Sequence, residues 1–184
     1  MIKYKPFVLV PVVFFLLIVA FLWRGLSLDP HHLPSVLINK PFPDFELSKV
    51  LDPSTRVTRQ DLVGKPALVH VWATWCQVCA YEHKNLVKIA KNSSYPIFGI
   101  NYRDDPVLAR RWLLVEGDPY QIAIQDEKGK LGLDLGIYGT PEMFILDAQG
   151  IIRYRQVGPI DEQYYYAKLV PLLKKLEDEK YVIP

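Results

Sequence analysis

The sequence predicts an α/β domain in which helices cover a mixed sheet, and three observations lead to this fold class. Strand-like and helix-like segments alternate between residues 66 and 126, two further strand-like segments fill 143–158, and a helical pattern closes the chain. Alternating β and α segments are typical of parallel strands joined by helical crossovers, and a hairpin adds antiparallel strands to the same sheet.

The first β-α unit consists of a strand and an amphipathic helix. The strand-like segment is PALVHVWA at 66–73, which is rich in Val, Leu and Trp. A helical pattern from 76 to 91 follows, with Leu86 and Ile89 on one side and lysines on the other. The change from β-branched and aromatic residues to a period near 3.6 predicts a strand followed by a helix.

The next unit has a strand at 95–102, YPIFGINY, and a helix within 104–117, DDPVLARRWLLVEG. An Asp followed by Pro is typical of a helix N-terminus. The Gly that ends the segment is typical of a helix C-terminus. The remaining elements are a strand at 120–126, a short helix or turn at 128–137, a hairpin at 143–158 that turns at 147–150, and a last helix from about Asp161 to Lys180 interrupted by Pro171.

The composition is that of a globular domain, with half of the residues hydrophobic and 23% charged. This is too much apolar surface for a disordered chain. Residues 25–184 carry 19 basic and 20 acidic side chains. Such a near-neutral balance gives no indication of nucleic-acid binding.

The N-terminus is apolar, because Pro6 to Trp23 is an 18-residue run without a charge. At 1.5 Å per residue it can just cross a hydrocarbon core of about 30 Å. Lys3 and Lys5 precede it, which favours a cytoplasmic N-terminus and a domain on the far side of the membrane. A cleaved signal peptide is the alternative, but the run exceeds the usual apolar region of about 7–15 residues.

We therefore divide the chain into three parts. Residues 1–24 are expected to form the cytoplasmic N-terminus and transmembrane anchor, 25–40 a tether, and 41–184 a periplasmic domain. The tether contains His31 and His32 beside prolines, where solvated linker residues are expected rather than metal ligands.

The two cysteines of the chain, Cys76 and Cys79, lie in VWATWCQVCAYEH, between the first strand and its helix. A structural zinc site needs four ligands, and His83 is the nearest further donor. A c-type haem attachment needs His directly after the second Cys, where Ala80 stands. A structural disulfide remains possible in an exported domain, but closing so short a loop stabilises a fold little.

Redox exchange is the chemistry that this spacing favours. At the start of a helix, unpaired backbone N–H groups and the helix dipole should lower the pKa of Cys76 below the free-thiol value of about 8.5. Cys79, nearly one turn later and expected to lie deeper, can attack a mixed disulfide formed at Cys76 and release the product.

The chain resembles the thioredoxin-like family, and within it the membrane-anchored thiol:disulfide oxidoreductases of cytochrome c maturation, the DsbE/CcmG group. The resemblance covers roughly residues 36–178 and rests on VWATWCQVCAYEHKNL, GINYRDDP and the segment from EGDPYQIAIQD to LGLDLGIYGTPEMFILDAQGIIRYRQVG. It implies a thioredoxin fold with an N-terminal extension and a central insert. It also implies reduction of disulfides in apocytochrome c or its handling partners, with electrons from a DsbD-type membrane reductant. By the same resemblance, no cofactor beyond the redox-active pair Cys76 and Cys79 is expected.

By this resemblance Cys76 is the attacking thiol and Cys79 the resolving thiol. Pro141 corresponds to a cis proline beside the active site, and the backbone of Thr140 could pair with an extended substrate. Glu142 corresponds to an acidic residue that would raise a thiol pKa and could transfer its proton. Trp75 is a further candidate for substrate contact.

Three differences from the family pattern stand out. Gln77-Val78 separates the cysteines where the family often has Pro after the first Cys, so the redox potential need not follow that of the relatives. Thr140 stands where a smaller residue is common and Met143 where Thr is common, which is expected to affect substrate preference more than the reaction.

Other residues are expected to be structural. Trp72 is predicted in the core, Glu82 and His83 at the helix surface or, for His83, as a cap, and 103–105 in a polar turn that caps a helix. Two other functions stay open: a copper or metal chaperone with the thiols and a histidine as ligands, and a general periplasmic disulfide reductase.

Overall fold

The structure is a computed structural model that describes the backbone of residues 6–26 and 37–180, and the side chains of 10–25 and 37–179. Most of the predicted tether, with His31 and His32, lies outside the described residues. The chain divides into two units, Met1–Leu33 and Pro34–Pro184.

The first unit contains one helix, α1 (Pro6–Leu26). Its apolar side chains between Val10 and Trp23 are largely exposed. Pro11 lies in the second turn, where a missing N–H disturbs the helix less than it would in the middle. Among the residues that the structure describes, no helix is both long enough and apolar enough to span a bilayer, so the predicted transmembrane segment is not confirmed.

The second unit is built on a seven-stranded sheet in the order β2-β1-β5-β4-β3-β6-β7. Strands β3, β4 and β5 are parallel, and the outer strands on both sides are antiparallel. The strands are β1 (Glu46–Lys49), β2 (Arg56–Thr58), β3 (Ala67–Trp72), β4 (Ile97–Tyr102), β5 (Ile122–Asp126), β6 (Glu142–Leu146) and β7 (Ile152–Val157).

Helices cover both faces of this sheet. They are α2 (Gln77–Asn92), α3 (Pro106–Glu116), α4 (Lys130–Asp134), α5 (Glu162–Tyr164) and α6 (Val170–Lys180), with a 3-10 turn at Arg59–Leu62 and a π-helical turn at Tyr165–Leu169 that joins α5 to α6.

Two separate cores result, one on each face of the sheet. The first core contains both cysteines and side chains of α2, α3 and the C-terminal helices, such as Leu86, Leu113 and Leu173. The second core lies under α4, the 3-10 turn and the segment before β1, with Leu131 and Phe42 among its members. Because side chains alternate along a strand, neighbouring residues of β3 and β6 contribute to different cores.

The α/β fold with a mixed sheet is confirmed, and every segment predicted between 66 and 180 has its counterpart. Asp105 caps α3 by accepting hydrogen bonds from the N–H groups of Val107 and Leu108. The π-helical turn ends two residues before Pro171, which has no N–H to donate. Strands β1 and β2, only four and three residues long, were not predicted individually.

The segment just before β1 also belongs to the folded unit. The N–H of Asn39 donates to the carbonyl of Ile152, and the N–H of Ile152 donates to the carbonyl of Lys40. Leu37 and Ile38 pack against the second core. The folded part of the chain therefore begins no later than Leu37, within the segment predicted to be a tether.

Candidate active site

Cys76 and Cys79 form a disulfide at the N-terminus of α2. Cys76 is the N-cap residue, with an extended backbone, and its Sγ accepts a hydrogen bond of 3.0 Å from the N–H of Cys79. Sulfur thus takes the place that a Ser or Asp oxygen usually has at a helix start. An N–H aimed at Sγ will also stabilise negative charge there when the bond is reduced.

The expected difference in depth between the two cysteines is not seen in this disulfide-bonded form. Cys76 is 5% exposed and Cys79 is 4% exposed. Their neighbours Trp75 and Val78 are much more open, at 56% and 46%. Both cysteines are therefore buried next to exposed apolar residues, and the fractional exposure of the two residues does not distinguish them.

The segment before β6 faces the disulfide. The bond between Thr140 and Pro141 is cis, as the resemblance implied. The carbonyl oxygen of Thr140 lies 3.4 Å from Cys76 Sγ, so a reduced Cys76 thiol can donate to it. The structure thus brings Thr140 and Pro141 to the cysteines, and the role of Thr140 in pairing with a substrate remains a prediction.

The loop that leads into Cys76 is held by Asp104, whose role the sequence did not reveal. Thr74 Oγ1 donates to Asp104 Oδ1 at 2.6 Å, and Asn101 Nδ2 donates to Asp104 Oδ2 at 2.8 Å. The indole Nε1 of Trp75 donates to the carbonyl of Arg103 at 3.0 Å. The predicted polar turn at 103–105 therefore caps α3 and also fixes the backbone that carries the first cysteine.

Glu142 is fully buried and is bound to an arginine. Arg155 Nη2 and Nε lie 2.7 and 2.8 Å from Glu142 Oε2. The N–H of Tyr138 donates to the other oxygen at 3.4 Å. Burial raises the pKa of Glu142, and the charge of Arg155 opposes this shift.

Glu142 lies on the face of the sheet away from the disulfide. In β6 it alternates with Met143, which belongs to the first core together with both cysteines, and shares its side with Phe144 of the second core. The structure therefore does not bring Glu142 to the thiols, and its predicted catalytic role gains no support from the geometry.

A different carboxylate lies on the thiol side, and here the sequence-based prediction was wrong. Glu82 was expected at a solvated helix position but is 1% exposed. The buried face of α2 carries Cys79, Glu82, Leu86 and Ile89, with His83 beside them. Residues three apart on a helix are neighbours, so Glu82 adjoins the resolving cysteine. The spacing to Leu86 and Ile89 was the signal that could have placed it inside.

The contacts of Glu82 are few. Its Oε1 accepts a hydrogen bond of 2.8 Å from the N–H of Ile160. Its Oε2 lies 3.4 Å from Nε2 of His70 in β3, which is also 1% exposed. Glu82 is thus a buried carboxyl group on the same face of α2 as Cys79.

His83 was also expected near the surface and is instead 3% exposed. Its Nε2 lies 2.9 Å from the carbonyl of Gly117, and Trp112 Nε1 donates to its Nδ1 at 3.4 Å. Burial lowers the pKa of His83. It serves to join α2 to the end of α3, while Trp72 is buried as predicted.

The structure also shows the surroundings of the residues that were considered as metal ligands. In the part of the chain that the structure describes, no group of three or more His, Cys, Asp or Glu side chains is arranged to hold a metal ion. His83, the histidine considered as a third ligand, has both ring nitrogens engaged elsewhere.

A mixed sheet with a Cys-x-x-Cys pair at the start of a helix and a cis proline facing it defines a thioredoxin-fold thiol:disulfide oxidoreductase. The Redoxin family model matches residues 37–169. Solved structures agree in fold: a DsbF homologue from Corynebacterium diphtheriae has a TM-score of 0.65 at 19% identity, with 80% of this chain and 96% of that chain covered. A secreted thiol-disulfide isomerase from Corynebacterium glutamicum gives 0.63 at 20%, with 74% and 85% covered.

Relatives found by sequence are more similar to this chain than these solved structures are. The chain is 49% identical to the thiol:disulfide interchange protein DsbE of Pseudomonas aeruginosa, over 95% of this chain and 97% of that protein. It is 51% identical to the DsbE of Pseudomonas fluorescens, with 92% and 94% covered, and 42% identical to that of Allochromatium vinosum, with 94% and 95% covered. The chain belongs to the Redoxin family and, within it, to the DsbE (CcmG) group.

Proposed function

We propose that this thiol:disulfide oxidoreductase is a dedicated reductant of disulfides in apocytochrome c, or in the proteins that handle it, during cytochrome c maturation. The observation that carries the proposal is the Cys76–Cys79 pair at the N-terminus of α2, with Thr140 and Pro141 beside Cys76. The DsbE relatives support it, because they match the chain over almost its whole length.

The exchange proceeds in two steps. The Cys76 thiolate attacks a substrate disulfide, forms a mixed disulfide and releases one substrate thiolate, which takes a proton from water. Cys79 then loses its proton, attacks Cys76 Sγ and releases the second substrate thiolate. We assign the acceptance of the Cys79 proton to Glu82, which lies one turn further along the buried face of α2.

The location and the electron donor are part of the same proposal. The uncharged run from Pro6 to Trp23, with Lys3 and Lys5 before it, supports an N-terminal anchor and a periplasmic domain. A DsbD-type membrane reductant would then return electrons to the disulfide. Deletion of residues 1–24 should release a redox-active protein from the membrane fraction, whereas a mature chain starting near Leu28 would indicate a cleaved signal.

The experiment that tests the proposal is a mixed-disulfide trap in membranes. In Cys79→Ala the second step cannot occur, so the substrate should stay bound to Cys76. A Cys76→Ala, Cys79→Ala double variant is the control for nonspecific capture. Recovery of apocytochrome c or a few maturation proteins supports a dedicated reductant, whereas capture of many unrelated exported proteins would indicate a general periplasmic reductase.

A further inference from the structure

A buried polar chain runs through the first core beside the disulfide. Tyr120 OH lies 2.9 Å from His70 Nδ1, and His70 Nε2 lies 3.4 Å from Glu82 Oε2. The ring of Tyr120 stacks on His70 and on Trp72. His70 and Glu82 are each 1% exposed, and Tyr120 is 7% exposed.

Two facing atoms in this chain lack a hydrogen-bond partner in the structure. They are His70 Nε2 and Glu82 Oε2, the two atoms that are 3.4 Å apart. Buried polar atoms are rarely left unpaired, because each such atom loses its hydrogen bonds to water without gaining one in the protein. One proton between these two atoms would satisfy both.

We propose that His70 is the proton partner of Glu82, so that the His70–Glu82 pair accepts the proton that Cys79 gives up when it attacks the mixed disulfide. The proposal rests on the proposed thiol–disulfide exchange. In this role His70 is a positioning residue, because it acts on the cysteines through Glu82.

The chain of three groups can take up or release one proton between His70 and Glu82 while the contact of His70 with Tyr120 is kept. With a net charge of −1, Nδ1–H of His70 donates to the Tyr120 oxygen, and Nε2 and the Glu82 carboxylate oxygen Oε2 face each other without a hydrogen. The added proton then lies between Nε2 and Oε2. Imidazole is the side chain that can change its donor and acceptor atoms in this way near neutral pH.

Every proton and electron of the resolving step can then be accounted for. The Cys79 thiol passes its proton to the pair, and its thiolate forms the bond to Cys76 Sγ. The bond from Cys76 Sγ to the substrate sulfur breaks, and its two electrons leave with the substrate thiolate. When a thiol donor later reduces the disulfide, the pair returns the proton to Cys79.

The surroundings of the pair are well defined. On α2 the ionisable neighbours are Cys79 and His83, whose imidazole is bonded to Gly117. From the segment before β5 comes Tyr120, whose pKa is raised well above its usual value by burial and by the charge of Glu82. Asp118 accepts the N–H of Tyr120, and burial raises the pKa of Asp118. From the C-terminal segment, the N–H of Ile160 reaches Glu82.

The test separates the two chemical steps by stopped flow with the reduced full chain and dithiobis(nitrobenzoate). Attack by Cys76 releases one coloured thiolate at a rate that depends on reagent concentration. Attack by Cys79 on the mixed disulfide releases the second coloured thiolate at a rate that is independent of reagent concentration. The second rate, followed from pH 5 to pH 9, reports the proton acceptor.

For His70→Asn we expect the second phase at pH 7 to slow by about tenfold or more and its pH midpoint to rise, because a buried carboxyl without a basic neighbour keeps its proton. The first phase should change by less than about twofold. His83→Asn is the matched control, an equally buried histidine bonded elsewhere, and should leave the pH midpoint in place. The double variant with Glu82→Gln should be no slower than Glu82→Gln alone.

The proposal would be overturned if His70→Asn kept the wild-type pH profile of the second phase. It would also be overturned if the rate losses of His70→Asn and Glu82→Gln multiplied in the double variant. If His70→Asn does not fold, His70→Gln serves in its place and is judged by the same outcomes, because it offers a donor to Glu82 but no basic nitrogen. A wild-type protein with no second phase at all would instead show that the proposed exchange itself fails.

Discussion

Two buried glutamates lie on opposite faces of the sheet and differ in the side chain that each carboxylate faces. Glu142, on the second-core side, is bound by Arg155 at 2.7 Å. Glu82, on the side of the disulfide, accepts the N–H of Ile160 at one oxygen, and its other oxygen lies 3.4 Å from His70 Nε2 without a hydrogen bond. Both side chains are almost completely inaccessible to solvent.

The partner of each carboxylate decides what that carboxylate can do. A guanidinium keeps its proton at any physiological pH, so the Glu142–Arg155 pair fixes structure. An imidazole gains and loses a proton near neutrality, so the Glu82–His70 pair can exchange one. The contrast separates a structural ion pair from a proton acceptor, and four substitutions test it.

The largest effect is expected from Arg155→Met, because it leaves the Glu142 carboxylate buried without its cation. Breaking a buried pair on one side costs about 3–5 kcal/mol. We expect a loss of about 3 kcal/mol in the free energy of unfolding, measured in urea at pH 7. Arg153→Met is the control on the same strand: its pair with Asp147 is partly exposed, and a loss of about 1 kcal/mol or less is expected. Equal losses would remove the structural role given to Arg155.

The next effect separates the two glutamates directly. Glu82→Gln should slow the resolving attack by Cys79 by about a hundredfold at pH 7, a typical contribution of a positioned proton acceptor. Glu142→Gln should change that rate by less than about threefold, because its carboxylate faces the other core. The rate is that of the second thiolate release in single turnover. The reverse ranking would restore Glu142 as the catalytic acid.

The sequence predicted the central part of this molecule well. Strands β3 to β5 and their helices have strong periodicity and recognisable caps, such as Asp105, so local chemistry was sufficient there. The positions of the cysteines and of Pro141 also followed from motifs. Strands β1 and β2 were missed because three or four residues are too few to show a period.

The identity of the acidic residue at the thiols could not be settled from motifs alone. Glu142 was chosen because it corresponds to the acidic residue that follows the proline in the family pattern, yet strand alternation turns its side chain to the other face. Glu82 was set aside as a charged helix residue, although its spacing from Cys79 and Leu86 places it on the buried face. His70 lies in a strand, and its contact with Glu82 depends on how α2 packs on β3, which no local pattern encodes.

A smaller effect concerns the pH dependence of stability at the Glu142 pair. Burial raises the pKa of native Glu142 above its ordinary value of 4.5, so the native state binds the proton more tightly than the unfolded state. The resulting stabilisation is complete below pH 4.5 and declines as pH rises through the native pKa. We therefore expect the free energy of unfolding of wild type, relative to that of Glu142→Gln, to decrease as pH rises. Denaturation of both proteins at several pH values measures this difference. A shift in the opposite direction would mean that Arg155 outweighs burial.

The smallest effect is expected from Tyr120→Phe, which removes the hydroxyl that meets His70 Nδ1 and keeps the stacked ring. Loss of one buried hydrogen bond should cost about 1 kcal/mol of stability. The resolving rate should fall by a factor of about two or three, since the His70–Glu82 contact remains. A loss as large as that of His70→Asn would move the proton acceptor from the pair to the tyrosine.

The most direct measurement is the carboxyl carbon-13 NMR signal of each buried glutamate in the oxidised and in the reduced protein, assigned with Glu82→Gln and Glu142→Gln. The Glu82 signal should differ between the two redox states at pH 7, because the His70–Glu82 pair takes up the proton that Cys79 gives up. The Glu142 signal should be the same in both states. A redox-dependent signal at Glu142 with none at Glu82 would contradict the assignment of the thiol proton to the His70–Glu82 pair.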